Sequence, residues 1–95
     1  MEGLFDLSGK VAVVTGGSRG IGAMIAQGYV EAGVRTYITA RKEEELRDTA
    51  ARLSENGECI AIPGNLADVD GTRAIAEEIA ERESKVHILI NNAGA

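Results

Sequence analysis

The sequence predicts an α/β fold in which a parallel β-sheet carries helices on its faces. Four short apolar runs have the length of buried strands. Three stretches with helical periodicity separate these runs, and a cluster of glycines joins the first strand to the first helix. Because strands that alternate with helices of about 10 to 15 residues are joined by right-handed crossovers, we expect the strands to be parallel.

A change of hydrophobic period predicts the first strand and the first helix. Lys10 to Thr15 reads K-V-A-V-V-T, which is typical of a strand buried on both faces of a sheet. From Ile21 the period becomes helical, and Gly33 is expected to end the helix in a left-handed conformation. The predicted apolar face of this helix comprises Ile21, Ile25, Gly28 and Tyr29.

The second helix and its flanking strands follow the same pattern. Thr36 to Ala40 and Cys59 to Pro63 are the second and third strand candidates. Between them, Glu43 to Glu45 open a helix, where acids complement the partial positive charge of the helix N-terminus. Asn56-Gly57 ends this helix. Its predicted apolar face comprises Leu46, Ala50 and Leu53.

The last helix and strand complete the predicted sheet. Asp68 is expected to cap the third helix rather than to bind a ligand. The apolar side of that helix includes Ile75 and Ile79. Val86 to Ile90 is the fourth strand candidate, and it runs into the sequence Asn91-Asn92-Ala93-Gly94. The predicted fourth strand contains His87, for which we expect no role as a metal ligand because it has no partner ligand.

The composition excludes several classes of function. The chain has 95 residues, enough for one small domain, and a net charge of −5. This charge argues against a nucleic-acid partner, but it is compatible with a local site for one nucleotide. The single cysteine, Cys59, excludes an internal disulfide and is expected to be a small strand hydrophobe. The sequence shows no membrane-spanning run or signal peptide, so we expect a cytoplasmic protein without a membrane partner.

The glycine cluster predicts a phosphate-binding turn. It reads Thr15-Gly16-Gly17-Ser18-Arg19-Gly20-Ile21-Gly22. Gly16 permits a tight turn, Gly20 lets the backbone approach a pyrophosphate, and Gly22 lets the helix pack closely on the strand. The N-terminus of the helix then offers N–H groups and a partial positive charge to an anion. The alternative interpretation is a glycine-rich turn that binds nothing.

Two arginines predict which dinucleotide this turn would bind. An acid at the end of the second strand usually bonds the ribose 2′-hydroxyl of NAD, whereas an arginine nearby accommodates the 2′-phosphate of NADP. Here Arg41 follows the strand, and Arg19 and Ser18 lie in the glycine turn. Two guanidinium groups and a hydroxyl would bind one phosphate strongly. The alternative is that both arginines are solvated charges. Glu43 to Glu45 are the nearest acids and are expected to point to solvent, although they are near enough to weaken the phosphate site.

The spacing T-G-x-x-x-G-I-G, together with N-N-A-G after the fourth strand, resembles the short-chain dehydrogenase/reductase family. The resemblance extends from about Phe5 onward and implies a Rossmann-like sheet, the first half of a doubly wound one, with strand order 3-2-1-4. In that family an Asp commonly stands at the position of Asn65 and accepts a hydrogen bond from adenine, so Asn65 implies a weaker contact. The implied cofactor-binding residues are Gly16, Ser18, Arg19, Gly20, Ile21, Gly22, Arg41, Asn65, Leu66, Asn91, Ala93 and Gly94.

The resemblance also implies hydride transfer between NADP(H) and a carbonyl or an alcohol. The family places its catalytic residues in a Ser…Tyr-x-x-x-Lys pattern after N-N-A-G, where this chain ends. Tyr29 is followed four residues later by Gly33, and Tyr37 by Arg41, so we assign no catalytic residue.

We therefore expect residues 1–95 to be the dinucleotide-binding half of a longer oxidoreductase, truncated before its catalytic segment. The resemblance is strongest to 3-ketoacyl-(acyl-carrier-protein) reductases, which implies a small carbonyl or hydroxyacyl substrate and a homo-oligomer. We expect a face of the half-domain to be uncovered, with Val86 to Ile90 as an exposed apolar edge. The alternative is a non-catalytic half-domain that binds NADP(H) or a protein partner.

Overall fold

The computed structural model describes residues 7–92 as a four-stranded parallel sheet with helices on both faces. The elements along the chain are β1 (Val11–Thr15), α1 (Gly20–Glu31), β2 (Arg35–Ala40), α2 (Glu43–Leu53), a 3-10 turn (Ser54–Asn56), β3 (Cys59–Pro63), α3 (Val69–Arg82) and β4 (Ile88–Asn91). The strand order is β3-β2-β1-β4, and every neighbouring pair is parallel. The predicted α/β fold and strand order are confirmed.

The sheet separates two hydrophobic clusters because successive side chains of a strand point to opposite faces. On one face, α1 and α2 cover the centre of β1 and β2. The buried residues there are Val14, Ala26, Val30, Ile38, Leu46, Ala50, Leu53 and Cys59. On the other face, α3 covers a cluster of Val11, Val13, Tyr37, Ile62, Ile75 and Ile79. The predicted apolar faces of α2 and α3 are confirmed.

The predicted apolar face of α1 is wrong in part. Its buried residues are Gly22, Ala23, Ala26 and Val30. Ile21 is 69% exposed, Gly28 is exposed, and Ile25 and Tyr29 are only half-buried. The reason is close packing: a Cβ atom on Gly22 would overlap the carbonyl oxygen of Gly16. The helix lies so near β1 that small residues fill the contact, and the larger ones lie beside it.

The fourth strand begins later than the sequence predicts. We expected Val86 to Ile90, but β4 spans Ile88–Asn91, so His87 lies just before the strand rather than within it. The backbone N–H of Val11 donates to Nδ1 of the His87 imidazole at 3.0 Å, while the N–H of His87 donates to the carbonyl of Val11 at 2.9 Å. The imidazole of His87 therefore accepts the hydrogen bond from Val11 that a backbone carbonyl would have accepted in a regular strand pair.

The sheet is less covered at β4 than elsewhere in the described residues. Leu89 is 68% exposed and Val86 is 41% exposed, whereas Ile88 and Ile90 are half-buried. The apolar edge expected from the sequence is thus present at Leu89 and Val86. Within residues 7–92, no helix is both long and apolar enough to cross a membrane.

A network of charged and polar side chains links the elements at the amino-terminal edge of the sheet. Arg35, the first residue of β2, pairs with Glu58 at 3.1 Å and with Glu83 at 2.9 Å. The Tyr37 hydroxyl donates to the same Glu83 carboxylate at 2.6 Å. Burial and the bond to Glu83 raise the pKa of Tyr37 to about 12, and the bonds from Tyr37 and Arg35 lower the pKa of Glu83. This network ties the end of α3 to β2.

Candidate functional site

The glycine turn between β1 and α1 folds over the carboxyl end of β2. Gly16 has φ +67° and Gly20 has φ +61°, both in the left-handed region that favours glycine. The N–H groups of Gly16 and Gly17 both donate to the carbonyl of Thr39, at 2.8 and 3.2 Å. These bonds hold the turn on the neighbouring strand. As expected for the turn that the sequence predicts, its glycines occupy positions that side chains would strain or block.

The N-terminus of α1 opens from this turn without a capping side chain. Arg19 is the N-cap residue, its own side chain does not cap the helix, and the first turn contains no acid. A Cβ atom on Gly20 would meet nothing within 4 Å, so the backbone there faces open space. The first N–H groups of a helix have no partner within the helix, and together with the helix dipole they form a site for an anion.

Hydrogen bonds join the glycine turn to Asn91 and Asn92, the first two residues of N-N-A-G. Thr15 lies opposite Asn91 in the register of β1 and β4. The Thr15 hydroxyl donates to Oδ1 of Asn91 at 3.0 Å and accepts from the N–H of Asn92 at 2.8 Å. The amide Nδ2 of Asn92 donates to the carbonyl of Gly16 at 3.3 Å. The expected site residues did not include Thr15 and Asn92, although both belong to the quoted motifs.

Arg19 and Arg41 lie at the rim of one groove. Both side chains are exposed, and within residues 7–92 neither forms a hydrogen bond or ion pair with another side chain. Lys42 lines the same groove and was not predicted. Three cationic side chains beside an uncapped helix N-terminus favour binding of an anion with more than one negative charge.

Glu45 corrects the expectation that Glu43 to Glu45 all point to solvent. Glu45 is half-buried and lines the groove, and its Oε1 accepts a hydrogen bond from the Ser18 hydroxyl at 3.1 Å. Glu43 and Glu44 are exposed, as expected. The difference arises because α2 turns one side toward the glycine turn, where Thr49 also donates to the carbonyl of Ser18 at 2.6 Å.

The loop after β3 forms another wall of the groove. Oδ1 of Asn65 accepts from the N–H of Ala67 at 3.0 Å, which leaves one further lone pair on that oxygen. Leu66 is half-buried against the cluster under α3. Asp68 accepts from the N–H of Asp70 at 2.8 Å, so its predicted role as a helix cap is confirmed.

The groove has a volume of about 1320 Å³ and collects most of the residues predicted from the sequence. Its lining includes Gly16, Ser18, Arg19, Gly20, Ile21, Arg41, Asn65, Leu66 and Asn91. Gly22 lies behind the lining, where it allows α1 to approach the turn. Ala93 and Gly94 lie outside the described residues. From the glycine turn the groove extends along the uncovered sheet face to Leu89.

The remaining chemically reactive side chains lie apart from the glycine turn. Cys59 is buried, and burial raises the pKa of its thiol to about 11, so it behaves as a small hydrophobe. Tyr37 bonds Glu83 at the opposite edge of the sheet. Within residues 7–92, no group of three His, Cys, Asp or Glu side chains is arranged to hold a metal ion.

Known proteins resemble this chain along its length. A 3-oxoacyl-(acyl-carrier-protein) reductase of rhamnolipids biosynthesis from Pseudomonas aeruginosa is 52% identical over 94 residues, which are 99% of this chain and 37% of the relative. The solved RhlG/NADP active-site complex from Pseudomonas aeruginosa superposes with a TM-score of 0.94 at 52% identity, covering 100% of this chain and 38% of that one.

A second solved structure that resembles this chain contains both a cofactor and a substrate. The L-sorbose reductase from Gluconobacter frateurii, complexed with NADPH and L-sorbose, has a TM-score of 0.88 at 36% identity and covers 93% of this chain and 34% of that one. The chain therefore spans little more than a third of the length of these relatives. The sequence model described as short chain dehydrogenase matches residues 10–95, and the chain belongs to that family.

Proposed function

We propose that this chain is the cofactor-binding part of an NADP(H)-dependent oxidoreductase. The observation that carries the proposal is the pair of exposed arginines, Arg19 and Arg41, facing one groove without a partner among the described residues. No acid stands at the end of β2, where one would bond the 2′-hydroxyl of NAD. The relatives solved with NADP or NADPH support the same cofactor.

In this proposal the glycine turn and the helix behind it bind the pyrophosphate. The uncapped N–H groups at the start of α1 donate to its oxygens, and the open space at Gly20 lets the backbone approach them. Ile21, which is 69% exposed, covers the groove side of the same turn. Gly16 shapes the turn, and Gly22 holds α1 close enough to direct its N-terminus at the groove.

The remaining walls would hold the two ends of the nucleotide. Arg19, Arg41 and the Ser18 hydroxyl bind the 2′-phosphate, while Asn65 and the backbone of Leu66 contact the adenine. Asn91, which is bonded to Thr15, lies along the ribose toward the nicotinamide. We also propose Ala93 and Gly94 for that part of the site, on the resemblance of N-N-A-G to the family motif.

A bound nicotinamide supplies a hydride acceptor or donor for the interconversion of a carbonyl and an alcohol. We assign the proton transfer to no residue of this chain. Since the chain spans 37% of its 3-oxoacyl-(acyl-carrier-protein) reductase relative, we propose that residues 1–95 are the nucleotide-binding half of the domain. That relative supports a 3-ketoacyl substrate, and we propose that the full-length protein is a homo-oligomer.

One observation favours a second candidate function. Leu89 and Val86 expose apolar surface in the far part of the groove, which suits a half-domain that binds NADP(H) or a protein without catalysis. Carbonyl reduction by the full-length protein distinguishes the two functions. Reduction of a 3-ketoacyl thioester with NADPH supports the oxidoreductase, whereas NADPH binding without reduction of any carbonyl tested supports the binding module.

The direct test is a titration of the full-length protein with NADPH and NADH, followed by nicotinamide fluorescence. We expect Arg19→Ala and Arg41→Ala each to weaken NADPH binding roughly 10- to 100-fold, because a charge-assisted hydrogen bond contributes about 1.5–3 kcal/mol. NADH binding should change little. Arg52→Ala, an exposed arginine of α2 outside the groove, is the matched control. Equal losses for Arg52→Ala, or a wild type that prefers NADH, would contradict the proposal.

A further inference from the structure

A carboxylate is attached to the turn that is proposed to hold the 2′-phosphate. Ser18 is only 8% exposed, and its hydroxyl donates to Oε1 of Glu45 at 3.1 Å. Thr49 donates to the carbonyl of the same serine at 2.6 Å, which fixes the backbone of Ser18 against α2. Glu45 therefore contacts the turn at one defined position.

The charge of this carboxylate is not compensated locally. Within residues 7–92, Glu45 forms no ion pair, although Arg19, Arg41 and Lys42 line the same groove. Glu43, by contrast, pairs with Arg47 at 2.7 Å on the outer side of α2. A site formed only to bind a dianion gains nothing from an uncompensated carboxylate, because like charges repel at short distance.

The Ser18 hydroxyl has a single proton and can donate to one acceptor at a time. With a nucleotide that lacks the 2′-phosphate, the bond to Glu45 persists. With a 2′-phosphorylated nucleotide, the hydroxyl must leave Glu45 to donate to the phosphate, and the carboxylate is left beside a dianion. The cost falls on the phosphorylated nucleotide alone.

We propose that Glu45 is a specificity-determining residue that competes with the 2′-phosphate for the Ser18 hydroxyl. This inference rests on the proposed NADP(H) site. The arginines raise the affinity for the phosphorylated cofactor, and Glu45 reduces that advantage, so the protein discriminates less between NADP(H) and NAD(H) than its arginines alone would allow.

The test measures equilibrium binding of 2′,5′-ADP and 5′-AMP to the full-length protein by calorimetry. Glu45→Gln removes the charge and replaces a charge-assisted acceptor of the Ser18 hydroxyl by a weaker neutral one, while the side chain keeps its length. We expect this variant to bind 2′,5′-ADP roughly three- to tenfold more tightly than the wild type, because the Ser18 hydroxyl is released more easily to the phosphate and a like charge near it is removed. The affinity for 5′-AMP should change less than about twofold.

The matched control is Glu44→Gln, which removes the same charge from the neighbouring exposed position. We expect it to change neither affinity by more than about twofold, because solvent screens its charge. Equal gains for both variants would overturn the proposal in favour of long-range charge, and so would an unchanged or weakened affinity of Glu45→Gln for 2′,5′-ADP. An equal gain for both nucleotides would also overturn it.

The wild type separates this inference from the function on which it rests. If the wild type prefers 2′,5′-ADP to 5′-AMP, the NADP(H) site stands whatever Glu45→Gln does, and the variant alone decides the role of Glu45. If the wild type binds neither nucleotide, the proposed function fails and the competition at Ser18 fails with it. The same holds if the wild type binds both nucleotides with equal affinity and replacing Arg19 and Arg41 does not change this.

Discussion

The two ends of β2 carry the same residue type in opposite circumstances. Arg35 begins the strand and pairs with Glu58 and Glu83, at 3.1 and 2.9 Å. Arg41 follows the strand at its other end and faces the groove without such a partner among the described residues. The partners of an arginine, rather than its identity, therefore distinguish a structural charge from one available to a ligand.

Two threonines of β2 repeat the contrast. Thr36 and Thr39 are both fully buried. The Thr36 hydroxyl donates to the carbonyl of Val34 at 3.0 Å. Within the described residues, the Thr39 hydroxyl has no hydrogen-bond partner. The Thr36 hydroxyl near the amino-terminal edge is thus satisfied internally, whereas the Thr39 hydroxyl near the carboxyl-terminal edge has no partner among the described residues, which is what we expect where a site takes precedence over stability.

The largest effect on this comparison is expected from Gly22→Ala. The added Cβ would overlap the carbonyl oxygen of Gly16, and neither backbone can yield without moving the turn. We expect a loss of about 3 kcal/mol in the free energy of unfolding, measured with urea, and a loss of NADPH binding.

Gly28→Ala is the matched control in the same helix. Gly28 is exposed, and a Cβ there would meet nothing within 4 Å. We expect it to stabilise the protein by about 0.5–1 kcal/mol, because alanine loses less entropy than glycine in a helix. Equal stability of Gly22→Ala and Gly28→Ala would contradict the close approach of α1 to the glycine turn.

The next effect tests the amino-terminal edge. Tyr37 is 2% exposed and donates to the Glu83 carboxylate, and a hydrogen bond to a charged group contributes about 2 kcal/mol. We expect Tyr37→Phe to lower the free energy of unfolding by that amount and to leave NADPH affinity unchanged. Tyr29→Phe is the control, since the half-buried Tyr29 hydroxyl has no hydrogen bond to another described residue. A loss of NADPH affinity in Tyr37→Phe would show that the edges are not independent.

Tyr37 and Glu83 also make the free energy of unfolding depend on pH. The pKa of Tyr37 is raised to about 12 from an ordinary 10.0. Its contribution to the free energy of unfolding is therefore complete below pH 10.0 and is lost as the pH rises from 10.0 toward 12. The lowered pKa of Glu83 means that its contribution is complete above the ordinary value of 4.5 and is lost as the pH falls through its folded value. The stability difference between wild type and Tyr37→Phe should therefore be largest between about pH 5 and pH 9. A difference that does not vary with pH would contradict the network.

The smallest effect is expected from the threonine pair. Thr39→Val removes a buried hydroxyl without a partner, so we expect a gain of about 1 kcal/mol in the free energy of unfolding. Thr36→Val removes a hydroxyl that is bonded, so we expect a loss of similar size. Urea unfolding of both variants decides the matter, and equal losses would mean that Thr39 has a partner in solution.

The sequence was sufficient for features that depend on near neighbours along the chain. The unbroken apolar run of β1, the periodicity of α2 and the glycine turn predicted the sheet and most of the groove. The face of α1 was predicted wrongly because periodicity counts large residues, whereas close packing on β1 selects small ones. Composition and spacing do not record such distances.

The features that the sequence missed are contacts between distant positions. Glu45 contacts Ser18 across 27 positions, and Tyr37 contacts Glu83 across 46. The imidazole of His87 accepts a hydrogen bond from the backbone of Val11 across 76 positions, in place of a bond between strand backbones. The strand β4 therefore begins later than predicted. Each contact joins residues that only the folded sheet brings together, so no local pattern marks them.

Hydrogen–deuterium exchange of the full-length protein, with and without NADPH, shows which edge of the sheet binds the cofactor. We expect NADPH to slow exchange in peptides covering the glycine turn, the start of α2 and the loop after β3, at the carboxyl-terminal edge. Peptides containing Arg35 and Glu58, which lie outside the groove, should exchange as before. Protection confined to the amino-terminal edge, or no protection of residues 15–22 at saturating NADPH, would contradict the proposed cofactor site.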